Sequence, residues 1–293
     1  MDKEEHLQKI KAADAAYYDG TKPLMSDAEY DILRAAYIAK YGTEDLDYVP
    51  GKPITTRRFK HPIEVISLAN RVDEDDTEKF DAEIKRLSPV VIEPKYDGLT
   101  VVAYPDGNGS YFYVRGSGTE GDILPYFKPN NIAEDNNSNT KYAVLGEVYM
   151  SRDAFNKMNE DLIKKGEEPK ANPRNAVAGI LNPARKDKSP YMHLVTYMCY
   201  DVIGMDAPET EKLRYIFEKT PFEEAHNISM DIVAGEVTPK DIRERILKWH
   251  KHIIEDKHTP IDGMVIKTDQ EHSLERWGIY GNATKLQTRK IHL

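Results

Sequence analysis

The chain has 293 residues, 40% hydrophobic and 31% charged, which is enough for one large or two ordinary domains with a buried core. No apolar run approaches the roughly 18 residues of a membrane span, the first residues, MDKEEHLQKIKAAD, lack the form of a secretory signal, and the single Cys199 permits neither an in-chain disulfide nor a four-cysteine zinc site. A cytoplasmic protein without membrane partners is expected, and 41 basic against 50 acidic residues, net −9, argue against a chain that holds nucleic acid by its own surface field.

Leu7, Ile10, Ala13 and Tyr17 fall at helical spacing over residues 3 to 18. After the break Asp19-Gly20-Thr21-Lys22-Pro23, Ser26-Asp27-Ala28-Glu29 has the form of a capping box and opens a second helix to about Lys40. The two predict a small helical hairpin. Residues 42 to 61, rich in Gly, Pro and Thr, read as a linker. Beyond an acidic helix opening at Asp73 to Glu78 the pattern turns to strands. Pro89–Ile92 is apolar, and Leu99–Tyr104 and Tyr111–Arg115 flank the turn Pro105-Asp106-Gly107-Asn108-Gly109, predicting a hairpin.

Tyr142–Met150 is a further strand, Ser151 can cap a helix ending near Gly166, and Asn172-Pro173 places a capping residue and an N1 proline before a short helix. Leu194–Val202 and Met264–Lys267 read as strands and Pro239–Ile254 as an amphipathic helix. The expected architecture is α+β: residues 1–60 a helical domain with its linker, and 61–293 one mixed domain.

Lys95-Tyr96-Asp97-Gly98 follows an apolar strand and carries the chemistry. A lysine acts as a nucleophile only as the free amine, which burial or cationic neighbours favour, and the glycine permits a turn and close approach of a ligand. By itself the tetrapeptide is a weak signal and reads more readily as a solvated lysine beside a tight turn. The order of later segments weighs against that: Arg115-Gly116-Ser117-Gly118, Gly146-Glu147-Val148-Tyr149-Met150, and Ile261-Asp262-Gly263-Met264-Val265-Ile266-Lys267. Together they resemble the covalent nucleotidyltransferases.

With Ala171-Asn172-Pro173-Arg174-Asn175-Ala176-Val177-Ala178-Gly179, His61-Pro62, Ser67-Leu68-Ala69-Asn70, and the N-terminal Tyr17-Tyr18 and Ser26-Asp27-Ala28-Glu29-Tyr30-Asp31, the chain resembles the NAD-dependent DNA ligases over about residues 7 to 290. The resemblance implies an ATP-grasp-like ligase adenylation domain preceded by a nicotinamide mononucleotide-binding hairpin. It implies attack by Lys95 on the α-phosphate of NAD and transfer of AMP to the 5′-phosphate of nicked double-stranded DNA.

The same resemblance implies catalytic roles for Lys95, Asp97 and Lys267, with a C-terminal lysine on the phosphate, Lys290 by spacing from Gly278 or else Lys285. Glu93 would meet the adenine amino group, Ser67 and Leu68 belong to a cofactor-binding segment, and Arg115 and Arg174 would hold ribose or phosphate. Glu147 suits ribose hydroxyls or Mg²⁺, and Asp262 a base or Mg²⁺ partner. Tyr17, Tyr18 and Tyr30 would face the nicotinamide, with Asp27 and Asp31 as counter-charges or ribose acceptors. Each has a plain structural rival: Tyr17 and Tyr30 as core, Asp27 and Glu29 as helix-terminal acids, Glu147 as a surface position, Lys267 as an exposed strand end. Asp73 to Glu78 and Glu223-Glu224 read as solvated faces, and Cys199 as a buried small hydrophobe.

The chain departs from the family pattern at Ser117, Leu145, Asn182 and the segment Asn282 to Lys290, and Lys257 stands where the family has an arginine. It stops where an OB fold would begin, so an excised domain, a minimal enzyme, or one subunit of a split ligase is expected, with OB fold and zinc finger supplied by further domains or a second subunit. The rivals in function are an ATP-dependent polynucleotide ligase and a non-catalytic NAD-binding or assembly module.

Overall fold

The computed structural model describes residues 2–18, 24–25, 27–42, 58–63, 65, 77–105, 110–129, 141–183, 185, 187–225, 228–230, 238–256, 258–270, 276–280 and 287–290. Helices α1 (Lys3–Tyr18) and α2 (Asp27–Tyr41) come first. They pack on each other: His6 of α1 donates from Nε2 to the Leu33 carbonyl at 2.8 Å and sets its ring edge-on to the buried Tyr37, beside Ile10 and Ala13. Ser26, the expected cap of α2, lies outside the described residues.

Next come β1 (Arg58–Lys60), α3 (Thr77–Leu87), β2 (Val90–Tyr96), β3 (Leu99–Pro105), β4 (Ser110–Val114), β5 (Glu120–Asp122), β6 (Ala143–Tyr149), α4 (Arg152–Lys164) and α5 (Pro173–Ile180). Then follow β7 (Thr196–Ile203), α6 (Glu209–Lys219), β8 (Glu223–Glu224), β9 (Ile228–Met230), α7 (Pro239–Asp256), β10 (Ile261–Thr268), β11 (Arg276–Tyr280) and β12 (Gln287–Lys290). The α+β expectation holds. The caps form as read: Ser151 Oγ accepts from the Ala154 amide, and Asn172 Oδ1 accepts from the Asn175 amide with Pro173 at N1.

The strands make two five-stranded sheets, in the orders β12-β11-β10-β2-β9 and β4-β3-β6-β7-β8. Strand β6 is buried at every position, as a central strand covered on both faces must be, and the main core lies between its sheet and helices α4, α5 and α6, around Val148, Met158, Val177, Tyr197 and Ile216. The Tyr197 hydroxyl lies 3.1 Å from the Val101 carbonyl and 2.9 Å from that of Val144, meeting a buried donor's need for a partner. Cys199 is fully buried and free, as expected of a small hydrophobe.

Three expectations change. The stretch read as a linker ends in β1, which pairs with β5 some sixty residues on. Glu223-Glu224, read only as a solvated face, form the edge strand β8, parallel to Met198 and Cys199, with Glu223 exposed. Glu147 and Lys267 are buried, at 8% and 1% exposure, so neither is the surface residue that its rival reading required.

Candidate active site

Strand β2 ends one sheet at Tyr96 and β3 begins the other at Leu99, so Asp97-Gly98 is a two-residue crossing between sheets. The crossing is tight: a Cβ on Gly98 would stand 2.1 Å from the Val148 carbonyl oxygen of β6, so only glycine fits without moving backbone. Tyr96 stacks on Tyr149, ring centroids 5.1 Å apart, and ties the end of β2 to β6. Asp97 donates its amide to the Pro260 carbonyl at 2.9 Å, which ties the crossing to the start of β10.

Lys95 is the single residue of β2 that is not fully buried. Its side chain retains 20% exposure, and its ammonium contacts both carboxylate oxygens of Asp262 at 2.8 and 2.7 Å. Asp262 stands beside the register shift between Ile261 and Gly263, which turns it toward the mouth of the crease. Burial raises the Asp262 pKa, and the neighbouring Lys95 opposes that rise. Across the crease, Thr100 donates to Glu147 Oε2 at 3.0 Å. Burial pushes the Glu147 carboxyl up to about 7, against the pull of Arg174, Lys95, its bond from Thr100, and Arg115. Arg174, in the first turn of α5, reaches Asp97 Oδ1 from Nη1 at 3.1 Å. Five residues far apart in sequence, Lys95, Asp97, Glu147, Arg174 and Asp262, thus converge on one crease, with Arg115 close enough to act on Glu147.

The Arg115 backbone is held at both ends: its amide donates to the Thr100 carbonyl at 3.0 Å, and its carbonyl accepts from His61 Nε2 at 3.2 Å. The Tyr104 hydroxyl then donates to His61 Nδ1 at 3.0 Å, the tautomer of a neutral imidazole, and burial lowers the His61 pKa accordingly. Gly116 follows at φ +59°, where a Cβ would meet the Glu120 carbonyl at 2.1 Å. The Arg-Gly turn is fixed by its backbone.

Glu93 and Lys267 share the Lys95 face of the sheet but lie deeper, 2.7 Å apart, and burial raises the Glu93 carboxyl to about 7 against the attraction of Lys267. Lys290 ends β12 in the row Ile92–Ile266–Trp277–Lys290, three residues along from the row of Lys95, Gly263, Tyr280 and Gln287. Tyr30 is half-buried on α2. Tyr17, Tyr18, Asp27 and Asp31 lie on α1 and α2 with side chains that are not described; Ser67, Leu68 and Lys285 lie outside the described residues. Sequence reasoning missed Thr100 and Tyr149, which support Glu147 and the end of β2. For Thr100 the signal was register, since it is the cross-strand partner of Glu147.

The model of the NAD-dependent DNA ligase adenylation domain matches residues 55–286, the span that holds the crease and all five converging residues. The chain belongs to that family. A DNA ligase of Haloferax volcanii is 30% identical over 92% of this chain, and those of Metamycoplasma arthritidis and Heliobacterium modesticaldum are each 29% identical over 89% and 95% of it. The chain spans 40 to 43% of the length of these relatives. No described helix is long and apolar enough to cross a membrane.

Proposed function

We propose that this chain is the adenylation module of an NAD-dependent DNA ligase: Lys95 takes AMP from NAD, releases nicotinamide mononucleotide, and holds AMP for the 5′-phosphate of a DNA nick. The observation that carries the reading is the crease itself, with one partly exposed lysine in a buried strand and a carboxyl group on each side from a different sheet. Asp262 is the base nearest to hand. Its raised proton affinity suits it to accept a proton from the Lys95 ammonium, leaving a lone pair for phosphorus. The N–P bond forms as the P–O bond to the mononucleotide breaks; its electron pair leaves on the mononucleotide phosphate, and the second amine proton passes to solvent. Positioning and charge neutralisation do most of the work in such a transfer.

Arg174 and Arg115 supply the positive charge around phosphate and ribose, and Asp97 orients Arg174. We assign the C-terminal lysine on the phosphate to Lys290 or Lys285, and nicotinamide contact to Tyr17, Tyr18 and Tyr30 with Asp27 and Asp31. The described residues hold no cluster of three potential metal ligands. Glu147 or Asp262 would hold a Mg²⁺ brought in with the nucleotide, since this ion is satisfied by one or two carboxylates beside phosphate oxygens and water. Magnesium would neutralise charge on the phosphates.

With a net charge of −9 the chain should grip duplex weakly, so affinity for the nick should come from additional domains or a partner subunit. The test is release of nicotinamide mononucleotide on mixing with NAD, run in parallel with ATP. One equivalent released from NAD and no pyrophosphate from ATP is expected. Pyrophosphate from ATP alone would make the chain an ATP-dependent ligase, and binding of NAD with no release would make it a non-catalytic module.

A further inference from the structure

Deeper on the Lys95 face of the sheet runs a row of buried charges of alternating sign. Lys267 of β10 sets its ammonium 2.7 Å from Glu93 Oε2 and 3.2 Å from Glu209 Oε2, and donates to the Tyr200 carbonyl. The other oxygen of Glu209 takes the Lys212 ammonium at 2.9 Å. Lys212 lies 3.5 Å from Asp201 Oδ1, which also accepts from the Val202 amide. Four elements contribute: Asp201 from β7, Lys212 and Glu209 from α6, Lys267 from β10 and Glu93 from β2. All five residues are buried, and Lys212 and Lys267 are among the largest fully buried side chains.

Three carboxyls face two ammoniums, so one negative charge lacks a counter-charge within the row. Asp201 is anchored by a backbone amide. Glu209 sits in the first turn of α6, where the helix dipole favours its ionised form. Glu93, at the other end, has its Oε1 buried without a hydrogen-bond partner. The surplus therefore falls on Glu93, two residues before Lys95 and on the same side of the strand. A buried carboxyl with one bare oxygen is relieved by a proton or by a donor group of a ligand.

We propose that Glu209 and Lys212 are positioning residues: they divide the Lys267 ammonium between Glu209 and Glu93, and so set the charge with which Glu93 meets a donor group of a nucleotide held at Lys95. The last clause rests on the adenylation reading; the division of charge does not. Without Lys212, Glu209 draws Lys267 to itself and Glu93 takes a proton more readily. Without the Glu209 charge, Lys267 belongs wholly to Glu93 and that carboxyl ionises more readily. Two isosteric changes three residues apart on one helix thus act with opposite sign, which a purely structural role would not produce. The charged groups acting on Glu93 are Lys267 from β10, Glu209 from α6 and Asp201 from β7.

The test is a carboxyl ¹³C NMR titration of the full chain, with Glu93 assigned through Glu93→Gln. Lys212→Met should raise the Glu93 midpoint, and Glu209→Gln should lower it, each by about one pH unit. Should Lys212→Met fail to fold, the charge-balanced Lys212→Met/Glu209→Gln chain replaces it and, with Lys267 left wholly to Glu93, should titrate below the wild-type midpoint. In adduct formation with NAD, the two single variants should move KM in opposite directions by about tenfold or less, with the maximal rate kept within about twofold. Single-variant midpoints that stay put or move the same way, or a double-variant midpoint at or above that of the wild type, overturn the proposal. If the wild type forms no adduct with NAD, the adenylation reading fails and the titrations still decide the row; if adduct forms and the midpoints do not move, the reading stands and the row does not act on Glu93.

Discussion

Replacing Glu147 by glutamine should stabilise the protein at high pH and leave it unchanged at low pH. Glu147 is buried in β6 at 8% exposure, and its carboxyl is raised from 4.5 to about 7, mainly by burial. Between those values the folded chain keeps a proton that the unfolded chain gives up. This contribution to stability is complete below about 4.5 and is lost as pH rises to about 7. At about 1.4 kcal/mol per pH unit, the interval from 4.5 to about 7 makes the loss about 3 kcal/mol.

Glutamine has nearly the same shape, can still accept from Thr100, and cannot ionise. Glu147→Gln should therefore match the wild type within about 1 kcal/mol at pH 4.5 and exceed it by about 3 kcal/mol at pH 8. At about 2–4 °C per kcal/mol, the melting temperature at pH 8 should rise by about 6–12 °C. Urea unfolding followed by tryptophan fluorescence at four pH values between 4.5 and 8 measures the profile. A difference between the two proteins that is constant across pH would refute the reasoning, because it would show that burial does not shift this carboxyl. The same variant should lose adenylation, since an ionisable group beside Lys95 is gone.

Asp262→Asn removes the partner of the Lys95 ammonium and should slow adduct formation by about 10²–10⁴-fold in a mass-spectrometric time course. Its melting temperature should barely move, because the Asp262 side chain is 39% exposed and such ion pairs contribute little. Gly98→Ala forces a methyl against the Val148 carbonyl and should cost about 3 kcal/mol in thermal unfolding while also displacing Asp97 from Arg174. Tyr197→Phe leaves the Val101 and Val144 carbonyls without their donor and should cost about 1 kcal/mol in urea unfolding, with adduct formation unchanged.

What could be read from the sequence was what is local. The Pro105–Gly109 turn located the β3–β4 hairpin, and Asn172-Pro173 located the start of α5, because a turn and a cap are fixed by neighbours in the chain. Strand β1 escaped because three residues in a Gly- and Pro-rich stretch become a strand only through β5, and nothing local announces that partner.

The site shows the same division. Lys95, Asp97, Glu147, Arg174 and Asp262 could be named because the order of the segments that carry them resembles a known family; taken singly, their residue types favour plainer readings. That Lys267 is buried beside Glu93 could not be named, because four elements must fold before the row of charges exists. Glu209 and Lys212, three apart on α6, carry no local mark that sets them off from a solvated helical pair, and the sequence did not single them out. Burial alone changes their meaning.

The central claim is that Lys95 is the nucleophile and NAD the donor of AMP. Intact mass followed by peptide mapping after incubation with NAD and Mg²⁺ tests it most directly. One AMP should be found on the peptide containing Lys95, stable to base and lost in acid as a phosphoramidate is, and absent from Lys95→Ala. AMP carried on another residue, or an adduct that persists in Lys95→Ala, would contradict the account.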